Sequence, residues 1–182
     1  MLDIPCIILA GGQSKRMGFD KALMSFKGYK TLSEFQLAKF SPYFKNIYIS
    51  TKDSTKFSFQ ANFIEDLKEY QIHAPMIAIV SIFEKLKAKE IFVLSVDTPN
   101  FMIEHFYKLY NNHVASISVA KSPRGSHPLC AIYKDDVVPI FKSMIKKQDF
   151  KIQKIFDMIE VNFVKFENEE IFKNLNYQKD LI

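Results

Sequence analysis

Glu90-Ile91-Phe92-Val93-Leu94-Ser95-Val96 is a nearly continuous apolar run, without the polar alternation of a strand that shows one face to water. Such a run marks a strand covered on both faces, the environment of a largely parallel sheet with helices above and below it. It ends in Asp97-Thr98-Pro99. A carboxylate just past the carboxyl end of a buried parallel strand lies where open α/β sheets bind their ligands. Asp followed shortly by Pro also commonly starts a helix, here one expected over about 101–111.

The neighbouring stretches fit the same architecture. Residues 4–9 form a second apolar run, interrupted only by Pro5 near its start. Thr31-Leu32-Ser33-Glu34 reads as a capped helix start, with Phe35, Leu37, Ala38 and Phe40 as its apolar stripe and Pro42 as its stop. A strand over 46–50 then completes a strand, helix, strand order, which predicts a parallel pair. Residues 51–59 read as a polar loop with room for a short helix, and Asn62-Phe63-Ile64 as a short strand ending in Glu65-Asp66. Pro75 suits the first turn of a helix whose apolar face is Met76, Ile77, Ile79, Val80, Phe83 and Leu86.

Further on, 114–119 and 129–133 read as strands, and 121–128 as a loop carrying Arg124, Gly125, His127 and Pro128. Helices are expected over 136–146 and 151–158, a strand over 161–166, and a helical tail on both sides of Asn174-Leu175-Asn176. The fold class that results is α/β: one Rossmann-like domain over 1–182, with a mostly parallel open sheet and helices on both faces.

Composition narrows the function classes. A chain of 182 residues with 48% hydrophobic residues and 18 Phe has enough apolar material for one buried core. Its apolar runs fall far short of the roughly 20 residues that cross a bilayer, so no membrane association is expected. The start lacks the pattern of a secretory signal, which makes a cytoplasmic location the expectation. The net charge of +5 comes from scattered lysines with only two Arg, so nucleic acid is not an expected partner. Cys6 and Cys130 lack metal-like spacing and read as small buried hydrophobes.

The chemistry is expected in Leu9-Ala10-Gly11-Gly12-Gln13-Ser14-Lys15-Arg16-Met17-Gly18-Phe19-Asp20-Lys21-Ala22-Leu23, which holds three of the five glycines. Glycines directly after a buried strand allow positive φ and bring backbone N–H groups close to an anion. Arg16 forks onto two phosphate oxygens and Lys21 acts as a compact charge, a pair suited to a polyphosphate. The spacing matches neither G-x-G-x-x-G nor the G-x-x-x-x-G-K-[ST] phosphate loop. Asp20 reads as a structural partner for nearby cations.

This stretch resembles the L-A-G-G-x-S-x-R-M-G-x-D-K-x-L signature of the molybdenum cofactor guanylyltransferases. The resemblance implies that Leu9, Ala10, Gly11, Gly12, Arg16 and Lys21 wrap the nucleotide. Asp97-Thr98-Pro99 is similar to the family's D-T-P, whose aspartate holds Mg²⁺, and Glu65-Asp66 to an E-D whose aspartate lies over the guanosine. Ser126-His127-Pro128 is similar to a segment bordering the pterin. Asn174-Leu175-Asn176 is similar to N-x-N, with Asn176 near the metal and Asn174 beside the second substrate. Two alanines, Ala74 and Ala78, stand where the family has glycines of P-G-P-x-x-G, and Tyr177-Gln178-Lys179 stands where Thr-Pro-Glu is usual.

The implied reaction is transfer of GMP from GTP to molybdenum-molybdopterin, with release of pyrophosphate and with Arg16, Lys21 and Asp97 as the catalytic set. Molybdopterin-handling proteins and recipient molybdoenzymes are the protein partners it implies. The rivals are a cytidylyltransferase of the same cofactor, another NTP transferase, and a nucleotide-binding adaptor without turnover. The Leu9-Ala10-Gly11-Gly12 run favours guanine, because the cytidine relatives tend to carry L-A-A-G.

Overall fold

The computed structural model describes residues 1–11, 20–70, 72 and 74–175. Its strands are β1 (Cys6–Leu9), β2 (Ile47–Thr51), β3 (Phe63–Glu65), β4 (Glu90–Ser95), β5 (Ile117–Ser122), β6 (Gly125–Lys134) and β7 (Val161–Lys165). The α-helices are α1 (Leu32–Phe40), α2 (Pro75–Leu86), α3 (Ile103–Tyr110) and α4 (Val137–Lys146). All seven strands join one sheet in the order β3-β2-β1-β4-β6-β5-β7. Neighbours pair in parallel except where β6 runs against β4 and β5. The expected class, a mostly parallel open α/β sheet, is what forms.

Strand β4 shows why both faces are covered. Side chains alternate across a strand, so Phe92 and Leu94 join Cys6 and Ile8 on one face, while Ile91 and Val93 join Ile7 on the other. The first face packs against Leu32 and Phe40 of α1 and Phe106 and Leu109 of α3. The second packs against α2 and against Val137, Phe141 and Met144 of α4. Phenylalanines dominate the first core, where the Phe92 and Phe106 ring centroids are 4.8 Å apart and those of Phe44 and Phe106 are 4.9 Å apart. Cys6 and Cys130 are free and buried among these side chains, and burial pushes the Cys130 thiol up to about 12.

Local chemistry fixes several boundaries as expected. Thr31 caps α1, its hydroxyl accepting from Glu34 N at 3.0 Å and donating to the Glu34 carboxylate at 3.1 Å. Pro75 opens α2 where its missing N–H costs nothing. Lys27 (φ 45°) and Gly28 (φ 83°) make the tight turn between Phe26 and Tyr29.

Three expectations need correction. The buried face of α1 is Leu32, Ser33, Gln36 and Phe40, whereas Ala38 is exposed and Phe35 and Leu37 are only partly covered. The segment 121–128 is not a loop: β5 and β6 continue to a turn at Pro123-Arg124, with Ser122 paired to Gly125 at φ 136°. A register irregularity after Val119 lets Pro128 sit inside β6. The helices expected over 151–158 and at the start of the tail are single 3₁₀ stretches, Ile152–Asp157 and Glu169–Phe172.

Candidate active site

The sheet turns in opposite directions from its centre, since β1 continues to β2 on one side while β4 lies on the other. The crevice beyond the carboxyl ends of such a strand pair is the ligand position of doubly wound sheets. Leu9 O accepts from Val96 N at 3.0 Å, and Ala10 N donates to Ser50 O at 2.8 Å, so the chain leaves β1 at this crevice.

Two expected residues meet there. Asp97 follows β4, and its Oδ2 lies 3.1 Å from Lys21 Nζ, the side chains being 19% and 16% exposed. Ser95 Oγ donates to Asp97 Oδ1 at 2.7 Å, which fixes the carboxylate plane. Lys21 opens a 3₁₀ turn, Lys21–Leu23, capped by Asp20 Oδ1, which accepts from Ala22 N at 2.9 Å. Asp20 is the structural acid expected: its Oδ2 takes Lys56 Nζ at 2.6 Å, and Lys56 also donates to Ala10 O at 3.0 Å.

Gly11 does not use positive φ, contrary to expectation; among the described glycines Gly28 and Gly125 do. A Cβ at Gly11 would meet Thr51 Cα at 3.7 Å, an ordinary contact. Thr51 also links this point to Asp66, whose N–H donates to Thr51 O at 3.1 Å. Asp66 is half-buried, and burial raises its carboxyl above the usual range although Lys52 and Lys85 oppose the shift. It is therefore not a freely solvated loop acid.

Of the residues expected on the second-substrate side, Asn174 lies beside the Asp97 turn and His127 stands on β6. Asn174 Oδ1 accepts from Thr98 Oγ1 at 3.3 Å, and Leu175 N donates to Asp97 O at 3.1 Å, so the tail is tied to the Asp97 turn. His127 stands on β6, its Nε2 2.7 Å from Ser122 Oγ and its ring stacked on Phe172 with centroids 3.9 Å apart. Burial holds its imidazole below the usual range, hence neutral at pH 7. Gly12, Arg16 and Asn176 lie outside the described residues. Ala74 is extended (φ −144°) and Ala78 lies within α2, so neither alanine is forced into a conformation reserved for glycine.

Sequence reasoning missed several supporting residues. Gln36, fully buried, donates from Nε2 to Val96 O at 3.0 Å and Thr98 O at 3.2 Å. Lys39 Nζ donates to Pro99 O at 2.8 Å, and Ser33 Oγ to Ala22 O at 2.8 Å. Their spacing of three along α1 was the available signal.

The described residues contain no group of three or more His, Cys, Asp or Glu able to enclose a metal. Asp97 nonetheless suits a hard cation such as Mg²⁺, which takes one or two protein carboxylates alongside phosphate oxygens and water. Among the described residues no helix is long and apolar enough to cross a membrane.

Comparison with known proteins bears on the family and the fold. The family model described as "MobA-like NTP transferase domain" matches residues 6–162. The molybdenum cofactor guanylyltransferase of Campylobacter jejuni subsp. doylei is 39% identical, covering 98% of this chain and 93% of the relative. A crystal structure of a protein from Aquifex aeolicus is 31% identical with a TM-score of 0.82, covering 97% of this chain and 95% of that one. The molybdopterin-guanine dinucleotide biosynthesis protein A of Archaeoglobus fulgidus, 23% identical over 98% of this chain and 95% of its own, shares the fold with a TM-score of 0.79. With the family match running from the start of β1 into β7 of the sheet, the chain belongs to the MobA-like NTP transferase family.

Proposed function

We propose that this chain is a molybdenum cofactor guanylyltransferase: it transfers GMP from GTP to molybdenum-molybdopterin. A terminal phosphate oxygen of the pterin attacks the α-phosphorus of GTP, a new P–O–P link forms, and the bond to the leaving pyrophosphate breaks. An ionised phosphate is already a sufficient nucleophile, so no covalent enzyme intermediate is needed. The task is to bring two anions together and offset the charge that develops on the leaving group.

The observation that carries this reading is the Lys21–Asp97 contact of 3.1 Å beyond the ends of β1 and β4, in a chain 39% identical to a named guanylyltransferase. Lys21 and Arg16 bind the triphosphate. Leu9, Ala10, Gly11 and Gly12 line its approach, and because the protein itself leaves room for a Cβ at Gly11, close approach of the ligand to the backbone accounts for the glycine. Asp66 accepts from the guanosine, whose donors favour the ionised carboxylate that burial disfavours. Asp97 would hold Mg²⁺, which when bound supplies charge neutralisation at the phosphates. Asn174, Asn176 and His127 bound the pterin side.

The chain acts as one nucleotidyltransferase domain over 1–182, and use of the GTP pool makes the cytoplasm its site of action. Molybdopterin-handling proteins and recipient molybdoenzymes are its protein partners. The cytidine reading has less support, because the curated relatives at 38–39% identity are named guanylyltransferases. The test is a panel of GTP, CTP and ATP with molybdenum-molybdopterin and Mg²⁺, reading pyrophosphate. Release with GTP at least about tenfold faster than with CTP or ATP is expected, and equal release with CTP would overturn the assignment.

A further inference from the structure

Helix α1 buries two polar side chains on a face where apolar ones would pack at lower cost, Ser33 and Gln36, both without exposed surface. Ser33 Oγ donates to Ala22 O at 2.8 Å, one residue past Lys21. Gln36 Nε2 donates to Val96 O at 3.0 Å and to Thr98 O at 3.2 Å, the carbonyls on either side of Asp97. One rigid helix therefore grips both segments whose side chains meet at 3.1 Å.

The opposite side of the Asp97 turn is held too, because Asp97 O accepts from Leu175 N at 3.1 Å. The three successive carbonyls thus alternate between α1 and the tail, leaving the Asp97 side chain set in the crevice. Gln36 Oε1 is buried with no hydrogen-bond partner among the described residues, a desolvation cost that an apolar side chain of equal length would avoid. Simple packing does not account for a glutamine there; control of the two carbonyls does.

We propose that Ser33 and Gln36 are positioning residues that set the separation and direction of Lys21 and Asp97, and through them the alignment of the nucleotide phosphates. This rests on the reading of Lys21 and Asp97 given above. Misplacement of reacting groups by about 1 Å costs on the order of a hundredfold in rate, so a small drift of either segment is enough to be seen.

The experiment compares Gln36→Met, which keeps length and volume but removes both donors, and Ser33→Ala with Lys21→Ala and Asp97→Asn. Four quantities are measured on each full-length protein: kcat, KM for GTP, binding of Mn²⁺ alone by electron paramagnetic resonance, and the melting temperature. For Gln36→Met the expectation is a tenfold or larger loss of kcat, little change in KM, at least fivefold weaker Mn²⁺ binding, and a melting temperature lowered by several degrees because two buried carbonyls lose their donor, with the protein still folded at the assay temperature. Ser33→Ala should show a smaller loss of kcat with Mn²⁺ binding retained, since it releases the Lys21 segment only. Should Gln36→Met fail to fold, Ser33→Ala alone decides. Wild-type kcat and Mn²⁺ binding in the foldable variants, with Asp97→Asn and Lys21→Ala impaired, overturns the positioning role and leaves the site reading standing. If all four variants match wild type, the site reading fails and takes the positioning role with it.

Discussion

Asp97→Asn separates catalysis from folding most sharply, because its two effects differ widely in size. The change preserves size and lets the amide oxygen of the new side chain keep the hydrogen bond from Ser95 Oγ, which in the wild type reaches Asp97 Oδ1 at 2.7 Å. It removes the charge 3.1 Å from Lys21 Nζ. At an effective dielectric of about 20, two charges at that distance attract by roughly 5 kcal/mol before desolvation is counted. Because the side chains are only 19% and 16% exposed, desolvation offsets much of this and leaves a net loss of about 1–2 kcal/mol. For a domain of this size that is a fall of about 2–8 °C in melting temperature. Loss of an electrostatic contact to the developing charge costs more, about 10²–10³ in kcat. The assay is pyrophosphate release against Mg²⁺ concentration at about 25 °C, paired with a melting curve. At that temperature a protein weakened by about 1–2 kcal/mol is still almost entirely folded, so a hundredfold drop in rate is not an unfolding effect. A variant with unchanged turnover and unchanged Mg²⁺ dependence would refute the reasoning, and Asp97 would then be only a turn residue with a stabilising ion pair.

Three further outcomes are expected. Lys21→Ala and Arg16→Ala each remove a charge-assisted phosphate contact and should lower kcat/KM by roughly ten- to a hundredfold, by steady-state kinetics. Asp66→Asn should impair turnover with GTP and reduce the preference for GTP over ATP and CTP, which in the wild type should be at least about tenfold; an unchanged preference in competition assays removes Asp66 from the base-reading role. Burial lowers the Lys39 ammonium to about 7 from 10.5, so between those values the unfolded chain holds a proton that the folded chain has released. Stability should therefore rise with pH across that window, by at most about 1.4 kcal/mol per pH unit, and be flat below it on this account. Lys39→Met should remove that slope, and equal pH dependence of melting in the two proteins between about pH 7 and pH 9 counts against it.

What the sequence made legible follows from which physical signals are local. Strand β4 was readable because a run buried on both faces needs no partner information, and α2 because its apolar face repeats at helical spacing behind Pro75. Thr31 and Glu34 announce a helix start through their own hydrogen bonds. Lys21 and Asp97 each stand out in the chain, yet their contact spans 76 positions and is visible only once β1 and β4 are side by side.

The misread parts share a cause, which is that tertiary pairing overrode local propensity. Gly125, Pro128 and the polar residues between them read as a loop by composition, but Ser122 pairs with Gly125 and the strand bends through an irregularity that tolerates proline. That bend places His127 on a rigid strand, where the Phe172 ring and Ser122 fix it. On α1 the difference has the opposite sign: the apolar residues alone do not mark the buried face, which includes Ser33 and Gln36. The helix turns its polar residues inward because the segments it holds, at Ala22, Val96 and Thr98, present backbone carbonyls instead of side chains. A buried carbonyl without a donor costs more than a buried glutamine that satisfies two of them, so the hydrogen-bond demand of the crevice dictates the sequence of the helix beside it.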